Sequence, residues 1–189
     1  MKKGFTLIEL LIVIGILAIL SSAVVVVLNP AQLFAQARDT QRLNDLATLQ
    51  SAIAYYLSTT SVTSNYMAPN TAGNTCASNW WASFVVGGNG PFTAVPPASQ
   101  STQVSRAVNG TGWIPMNFST VSGGAVLSTL PVDPTNSTTN YYAYSCNEAD
   151  KLFELDTVLE SAKYSPMMTN AKDGGDAASF YETGSKLIL

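Results

Sequence analysis

The sequence predicts an α+β fold, in which a long N-terminal helix with a transmembrane first half packs its second half on a small antiparallel β-sheet. Three observations predict it: an unbroken apolar run from Phe5 to Leu28, a helix-spaced apolar stripe between Ala31 and Thr59, and β-rich runs at 141–145 and 151–158.

Residues 5–28 read FTLIELLIVIGILAILSSAVVVVL, 24 residues in which Glu9 is the only charge. At a rise of about 1.5 Å per residue the run covers roughly 36 Å as a helix, enough for a hydrocarbon core of about 30 Å. Its β-branched residues are no obstacle, because a single segment in lipid satisfies its backbone hydrogen bonds only as a helix. Lys2 and Lys3 precede the run and Arg38 is the first basic residue after it, so the positive-inside rule places the N-terminus in the cytoplasm and the rest outside. Asn29-Pro30 then predicts a kink at Pro30, since proline removes a backbone donor and restricts its predecessor. From Ala31 to Thr59 the chain is rich in good helix formers. Leu43, Leu46, Leu49 or Gln50, Ile53 and Leu57 fall on one side, which predicts an amphipathic continuation packed on a sheet. Arg38, Asp39, Arg42 and Asp45 on this half are expected on a solvated face, with i,i+3 pairing.

Residues 58–65 (STTSVTSN) end the helix, and the stretch to Ser128 is expected to be irregular. It carries the turn chemistry of Gly87-Gly88-Asn89-Gly90-Pro91, Pro96-Pro97, Gly110-Thr111-Gly112 and Gly123-Gly124. Trp80, Trp81, Phe84, Trp113 and Phe118 are expected to pin this long loop to the core. Tyr141–Ser145 and Lys151–Val158 read as a hairpin whose Phe153 and Leu155 face the helix, with 127–132 as an earlier strand and Tyr181–Leu189 as a returning edge strand.

Composition narrows the function. Of 189 residues 47% are hydrophobic and only 11% charged, against a usual charged share of about 25% in soluble domains. Between Asp45 and Glu148 the only charged side chains are Arg106 and Asp133, so Ser, Thr, Asn and Gly carry the polar surface, as suits an exported protein. The chain has no His, which removes Ser-His-Asp and Cys-His catalysis and every His-ligated metal site. The net charge of -3 gives no broad basic surface for nucleic acid, and the glycine runs lack the lysine and strand-to-helix frame of a phosphate loop. Cys76 and Cys146 are either a disulfide or two buried thiols; the exported character favours the disulfide.

Lys3-Gly4-Phe5-Thr6-Leu7-Ile8-Glu9-Leu10 resembles the prepilin peptidase recognition motif of type IV pilins and of the pseudopilins of type II secretion. The resemblance implies a leader of residues 1–4, cleavage between Gly4 and Phe5, methylation of the new Phe5 amine, and retention of the apolar helix. It also implies a pilin-like fold and a homo-polymer extruded from the cytoplasmic membrane by an assembly ATPase and a platform protein. Glu9, one turn beyond Phe5, is placed to neutralise the Phe5 amine of its own or a neighbouring chain during assembly. Leu130-Pro131-Val132-Asp133-Pro134, ahead of a Tyr-rich strand, resembles the matching stretch of pseudopilin-like globular domains. The resulting organisation is a leader at 1–4, a transmembrane and filament-core helix at 5–28, an amphipathic half at 29–59 and an extracellular or periplasmic globular domain at 60–189. On this reading Arg38, Asp39, Arg42 and Asp45 have a second use, as contacts between packed subunits.

Three rivals carry distinct expectations. A secretory signal cut after Ala23 leaves Val24 first but gives Glu9 no role. A membrane-tethered binding module keeps Met1 and does not polymerise. A released enzyme would need a catalytic set, and pairing Asp133 with Asp150 or Asp156 as glycosidase carboxylates has no further support. No cofactor is required. Asp173-Gly174-Gly175-Asp176 followed by Glu182 is the one place where oxygen ligands crowd a glycine turn, with calcium as the fitting ion and a solvated turn as the plainer alternative. Asn109, Asn117 and Asn136 open glycosylation sequons.

Overall fold

The computed structural model describes residues 4–60, 67–68, 75–87, 90–92, 99–121 and 123–189. Leader residues 1–3, the Ser/Thr cluster beyond Thr60, Gly88-Asn89 and Pro96-Pro97 lie outside the described residues.

Helix α1 spans Leu7–Leu28 and helix α2 spans Pro30–Thr59. The expected single helix kinked at Pro30 is instead two helices meeting one residue earlier, at Asn29. That residue has φ 40°, ψ 77°, closing α1 and opening α2. Asparagine tolerates this left-handed conformation better than other non-glycine residues, and Pro30 sits at the first position of α2, where its missing N–H costs no helical bond. α1 has no buried side chain along its described length. In α2 the buried positions are Ala35, Asp39, Arg42, Leu46, Leu49, Ala52, Ile53 and Tyr56, a stripe at steps of three and four. Leu46, Leu49 and Ile53 fall on it as expected, Leu43 and Leu57 flank it half-buried, and Tyr56 takes the place given to Leu57.

The sheet has the order β2-β1-β3-β4-β5. Strands β1 (Asn79–Ala82), β3 (Tyr142–Asn147), β4 (Leu152–Thr157) and β5 (Tyr181–Gly184) run antiparallel, and β2 (Ser99–Gln100) lies parallel at the edge beside β1. The predicted hairpin is β3–β4, paired from Tyr142↔Thr157 to Asn147↔Leu152. β1 was not expected. Its four residues, NWWA, are buried on both faces, so no polar alternation marks the strand. The strand expected at 127–132 does not form. Arg106 and Leu130 exchange two hydrogen bonds there, Leu130 N–H to the Arg106 carbonyl at 2.9 Å and Arg106 Nε to the Leu130 carbonyl at 2.8 Å. Pro131 and Pro134 remove the donors a ladder would need.

The inner face of the sheet packs on α2. Leu46, Leu49, Ile53 and Tyr56 meet Trp81, Tyr142, Tyr144, Phe153 and Leu155, so Phe153 and Leu155 do face the helix. Trp113, Ile114, Met116 and Phe118 from the long connection complete this core, and Trp113 Nε1 donates to the Pro131 carbonyl at 2.9 Å. The outer face carries a smaller cluster of Trp80, Ala82, Phe92, Tyr141 and Ala143.

Asp39 and Arg42 pair at the expected i,i+3 spacing, but they are not on a solvated face. Arg42 is wholly buried, not solvated. Its Nε and Nη2 donate to the two Asp133 oxygens at 2.6 and 3.0 Å, and Nη1 reaches Asp39 at 2.8 Å and Glu160 at 2.6 Å. Asp39 also accepts the Ser161 N–H at 2.8 Å, and Asp133 accepts the Thr135 N–H at 2.8 Å. Because every oxygen-rich partner is met by a donor, the desolvated charges are tolerable. The network fastens α2 to the segment before β3 and to the turn after β4.

Candidate functional site

The N-terminal segment is built for exposure. Nothing lies within 4 Å of a Cβ placed on Gly4, and Phe5 and Leu7 are each 83% exposed. Thr6 caps α1, its hydroxyl accepting the Glu9 N–H at 3.3 Å, with Glu9 in the first turn. Thr-x-x-Glu before an apolar run is a capping-box signature, a local role for Thr6 and Glu9 that the sequence reading had not assigned although the spacing carries it. A carboxylate there also suits the positive end of the helix dipole. Among the described residues Leu7–Val25 is the one helical stretch long and apolar enough to cross a membrane, and none of it is buried. Such a stretch alone would fit a signal sequence or an anchor.

The family model for the prokaryotic N-terminal methylation motif matches residues 1–25. The chain begins with a prepilin-type methylation motif. The motif supports a type IV pilin-like or pseudopilin protein, points to a structural family, and implies processing by prepilin peptidase and a pilus or secretion assembly. Motif and apolar helix together fit membrane anchoring and an extracellular or periplasmic filament. No curated protein and no solved structure matches the chain.

In the globular part, Cys76 and Cys146 form a disulfide across 70 residues, tying the segment before β1 to β3 beside the main core. Asp133, considered with Asp150 or Asp156 as a carboxylate pair, is instead the bidentate partner of Arg42.

The acidic glycine turn brings different residues together from those its sequence suggested. Alternation along β4 puts Glu154 and Asp156 on the outer face, and Asp156 pairs across the ladder with Glu182 of β5. One carboxylate oxygen from each of Glu154, Asp156 and Glu182 lies within 4.8 Å of the others, and all three residues are buried. Glu182 accepts the N–H groups of Asp176 and Ala177 at 3.3 and 3.2 Å, which folds the turn over the sheet. The turn needs glycine where it does. A Cβ on Gly175 would sit 1.6 Å from Glu182 Oε2, and Gly174 has φ +90°. Asp173 accepts the Gly175 N–H at 3.3 Å through Oδ1, while its Oδ2 is buried without a partner.

Crowding of like charges out of water governs this cluster. Burial first, then Glu182 and its charge, pushes Glu154 up to about 9. Burial first, then the charges of Glu154, Glu182, Asp176 and Asp173, holds Asp156 well above the usual carboxylate range. Glu182 is raised too, again mainly by burial. Residues Glu154 and Asp156 were legible as one face of a strand, but nothing in the chain marked Glu182 as their cross-strand neighbour.

Proposed function

We propose that the chain is a structural subunit of a type IV pilus-like filament, polymerised through α1. Prepilin peptidase cuts between Gly4 and Phe5, the Phe5 amine is methylated, and the helix keeps its place in the membrane until assembly. The N-terminus lies in the cytoplasm and residues 60–189 outside, as the placement of Lys2, Lys3 and Arg38 directs. The single observation that carries the reading is the joining of a methylation motif to a helix that the globular part leaves wholly uncovered.

The physics of that helix favours a polymer. Its apolar side chains need either lipid or other apolar helices around them. Drawing it from the membrane alone exposes them to water, whereas packing it among neighbouring copies replaces one apolar surround by another. Glu9 and the Phe5 amine become costly in such a core unless paired, which makes the pair a register device between adjacent subunits. The mature N-terminus tests the reading. Mass spectrometry should find N-methyl-Phe5; Val24 or an intact Met1 at the start of the mature chain overturns it. Fibres extending from the cell surface under electron microscopy distinguish a pilus from the short periplasmic filament of a type II secretion pseudopilin.

A further inference from the structure

We propose that Asn109 is a self-modifying site: the backbone nitrogen of Gly110 closes on the Asn109 side chain, ammonia leaves, and water opens the ring to aspartate and isoaspartate. Among the described residues Asn109 is the one asparagine followed by glycine. It is exposed, on a turn where Gly110 has φ 91°. Glycine sets no side chain beside the attacking nitrogen, and nucleophile and electrophile belong to neighbouring residues, so the ring closes without an encounter.

The turn prepares the carbonyl for attack. Asn109 Oδ1 accepts two hydrogen bonds from Thr111, from its N–H at 3.2 Å and its hydroxyl at 2.7 Å. Negative charge gathers on that oxygen as nitrogen adds to Cγ, so both donors stand where the charge develops. The Asn109 amide nitrogen, the leaving group, has no partner among the described residues.

Other asparagines of this region lack one part or another. Asn117 has the same oxygen contact, from the Ser119 N–H at 3.1 Å, but the next residue is Phe118, fully buried with its ring against Tyr56. Asn136 is clamped at both ends of its amide by Ser83, accepting from its hydroxyl at 2.8 Å and donating to its carbonyl at 3.2 Å. Asn147 donates to Asp150 and precedes Glu148.

The chemistry balances with water alone. The Gly110 N–H proton passes to solvent as the N–Cγ bond forms; the Cγ–Nδ2 bond then breaks, and Nδ2 takes a proton from water to leave as ammonia. Hydrolysis of the cyclic imide at Cγ gives aspartate. Hydrolysis at the Asn109 backbone carbon gives isoaspartate, with the main chain routed through the side chain. Either product adds a negative charge where Arg106 is the one exposed charge between Asp45 and Glu148. The isoaspartate also lengthens the backbone where Asn109 bridges Asn117, the closure of a loop that carries the buried Trp113, Ile114 and Met116. A chain that persists outside the cell would therefore record its age as charge on this turn.

The test uses the full chain in detergent, held in mildly alkaline buffer and sampled over weeks. The tryptic peptide 107–151 holds Asn109, Asn117, Asn136, Asn140 and Asn147, while Asn89-Gly90 falls in peptide 43–106 and is mapped apart. Fragmentation mass spectrometry should find the amide-to-acid mass rise at Asn109 at least about 10-fold faster than at the other four, a barrier difference of one decade or more, with isoaspartate present and ammonia released in step. Thr111→Val should slow it about 3- to 10-fold, the worth of one ordinary hydrogen bond, Thr111→Ser should restore it, and the difference should vanish in urea. Conversion at Asn109 no faster than at its four neighbours overturns the site. Equal rates in folded Thr111→Val and unaltered chain, or a difference that survives in urea, overturn the part given to the turn. The site stands on the globular part alone, so its failure leaves the filament proposal untouched.

Discussion

Replacing Arg42 with Met removes the charge at the centre of the buried network while keeping most of the side-chain volume. Five donor contacts disappear, two to Asp133 and one each to Asp39, Glu160 and Thr135. Asp39 and Asp133 are then left at 0% and 2% exposure without their cation. Breaking a buried ion pair from one side costs about 3–5 kcal/mol. Asp39 retains the Glu160 and Ser161 N–H groups, and Asp133 those of Thr135 and Asn136. The lower part of that range is therefore expected, about 3–4 kcal/mol, or a fall of roughly 6–16 °C in midpoint for a domain of this size. Near-ultraviolet circular dichroism follows the loss, because Trp80, Trp81 and Trp113 are all buried. Adding Asp133→Leu should recover part of it, giving a coupling of about 0.5–3 kcal/mol between the two positions. A fall below 2 °C in the single variant, or strict additivity in the double, would refute the account of Arg42 as the fastening point of α2.

Acid titration probes the same network from its rim: Arg38 first, and then Arg42, hold Glu160 down to about 2. Its folded-state value lies below the unfolded one, so this contribution is whole above about pH 4.3 and is lost as pH falls towards 2; Arg38→Gln should flatten that limb of a pH–stability curve. Glu9→Leu should leave membrane insertion intact, seen by fractionation, but impair methylation or filament assembly, and Glu9→Gln should do the same because the proposed pair with the Phe5 amine needs the charge. Removing the disulfide with Cys76→Ser and Cys146→Ser opens a loop of 70 residues and should cost roughly 4 kcal/mol in urea unfolding by the chain-entropy relation. Leu49→Ala, at a wholly buried contact between α2 and the sheet, should cost about 2–5 kcal/mol with the slope of the urea transition unchanged.

The elements with a strong period were legible in the sequence, and those defined by distant partners were not. An apolar run and a stripe at three-and-four spacing are local signals, so α1, α2 and the β3–β4 hairpin could be placed from residues alone. β1 shows no alternation because Trp80 faces one cluster and Trp81 the other, and both faces are dry. Only the pairing with β3 makes it a strand. The charges of α2 misled for the opposite reason: Asp39 and Arg42 are three apart, as on a solvated face, but their burial depends on Asp133 and Glu160, about 90 and 120 residues away. At the acidic turn, Glu182 was visible, whereas its companions Glu154 and Asp156 join it only through the register of β4 with β5.

The burial of Asp39, Arg42, Asp133, Glu154, Asp156 and Glu182 has a consequence for the outside of the molecule. In a chain with nine basic and twelve acidic side chains, it leaves Arg106 as the one charge turned outward between Asp45 and Glu148, a stretch whose outer surface is governed by hydroxyl and amide groups. Dissolved salt acts by screening charges within a Debye length of about 8 Å at physiological ionic strength. Such a surface offers salt little to screen. In the proposed filament, contacts between copies through this surface, and the bundling of one fibre against another, should therefore change little between dilute buffer and brine, and respond instead to solutes that alter the hydration of neutral polar groups.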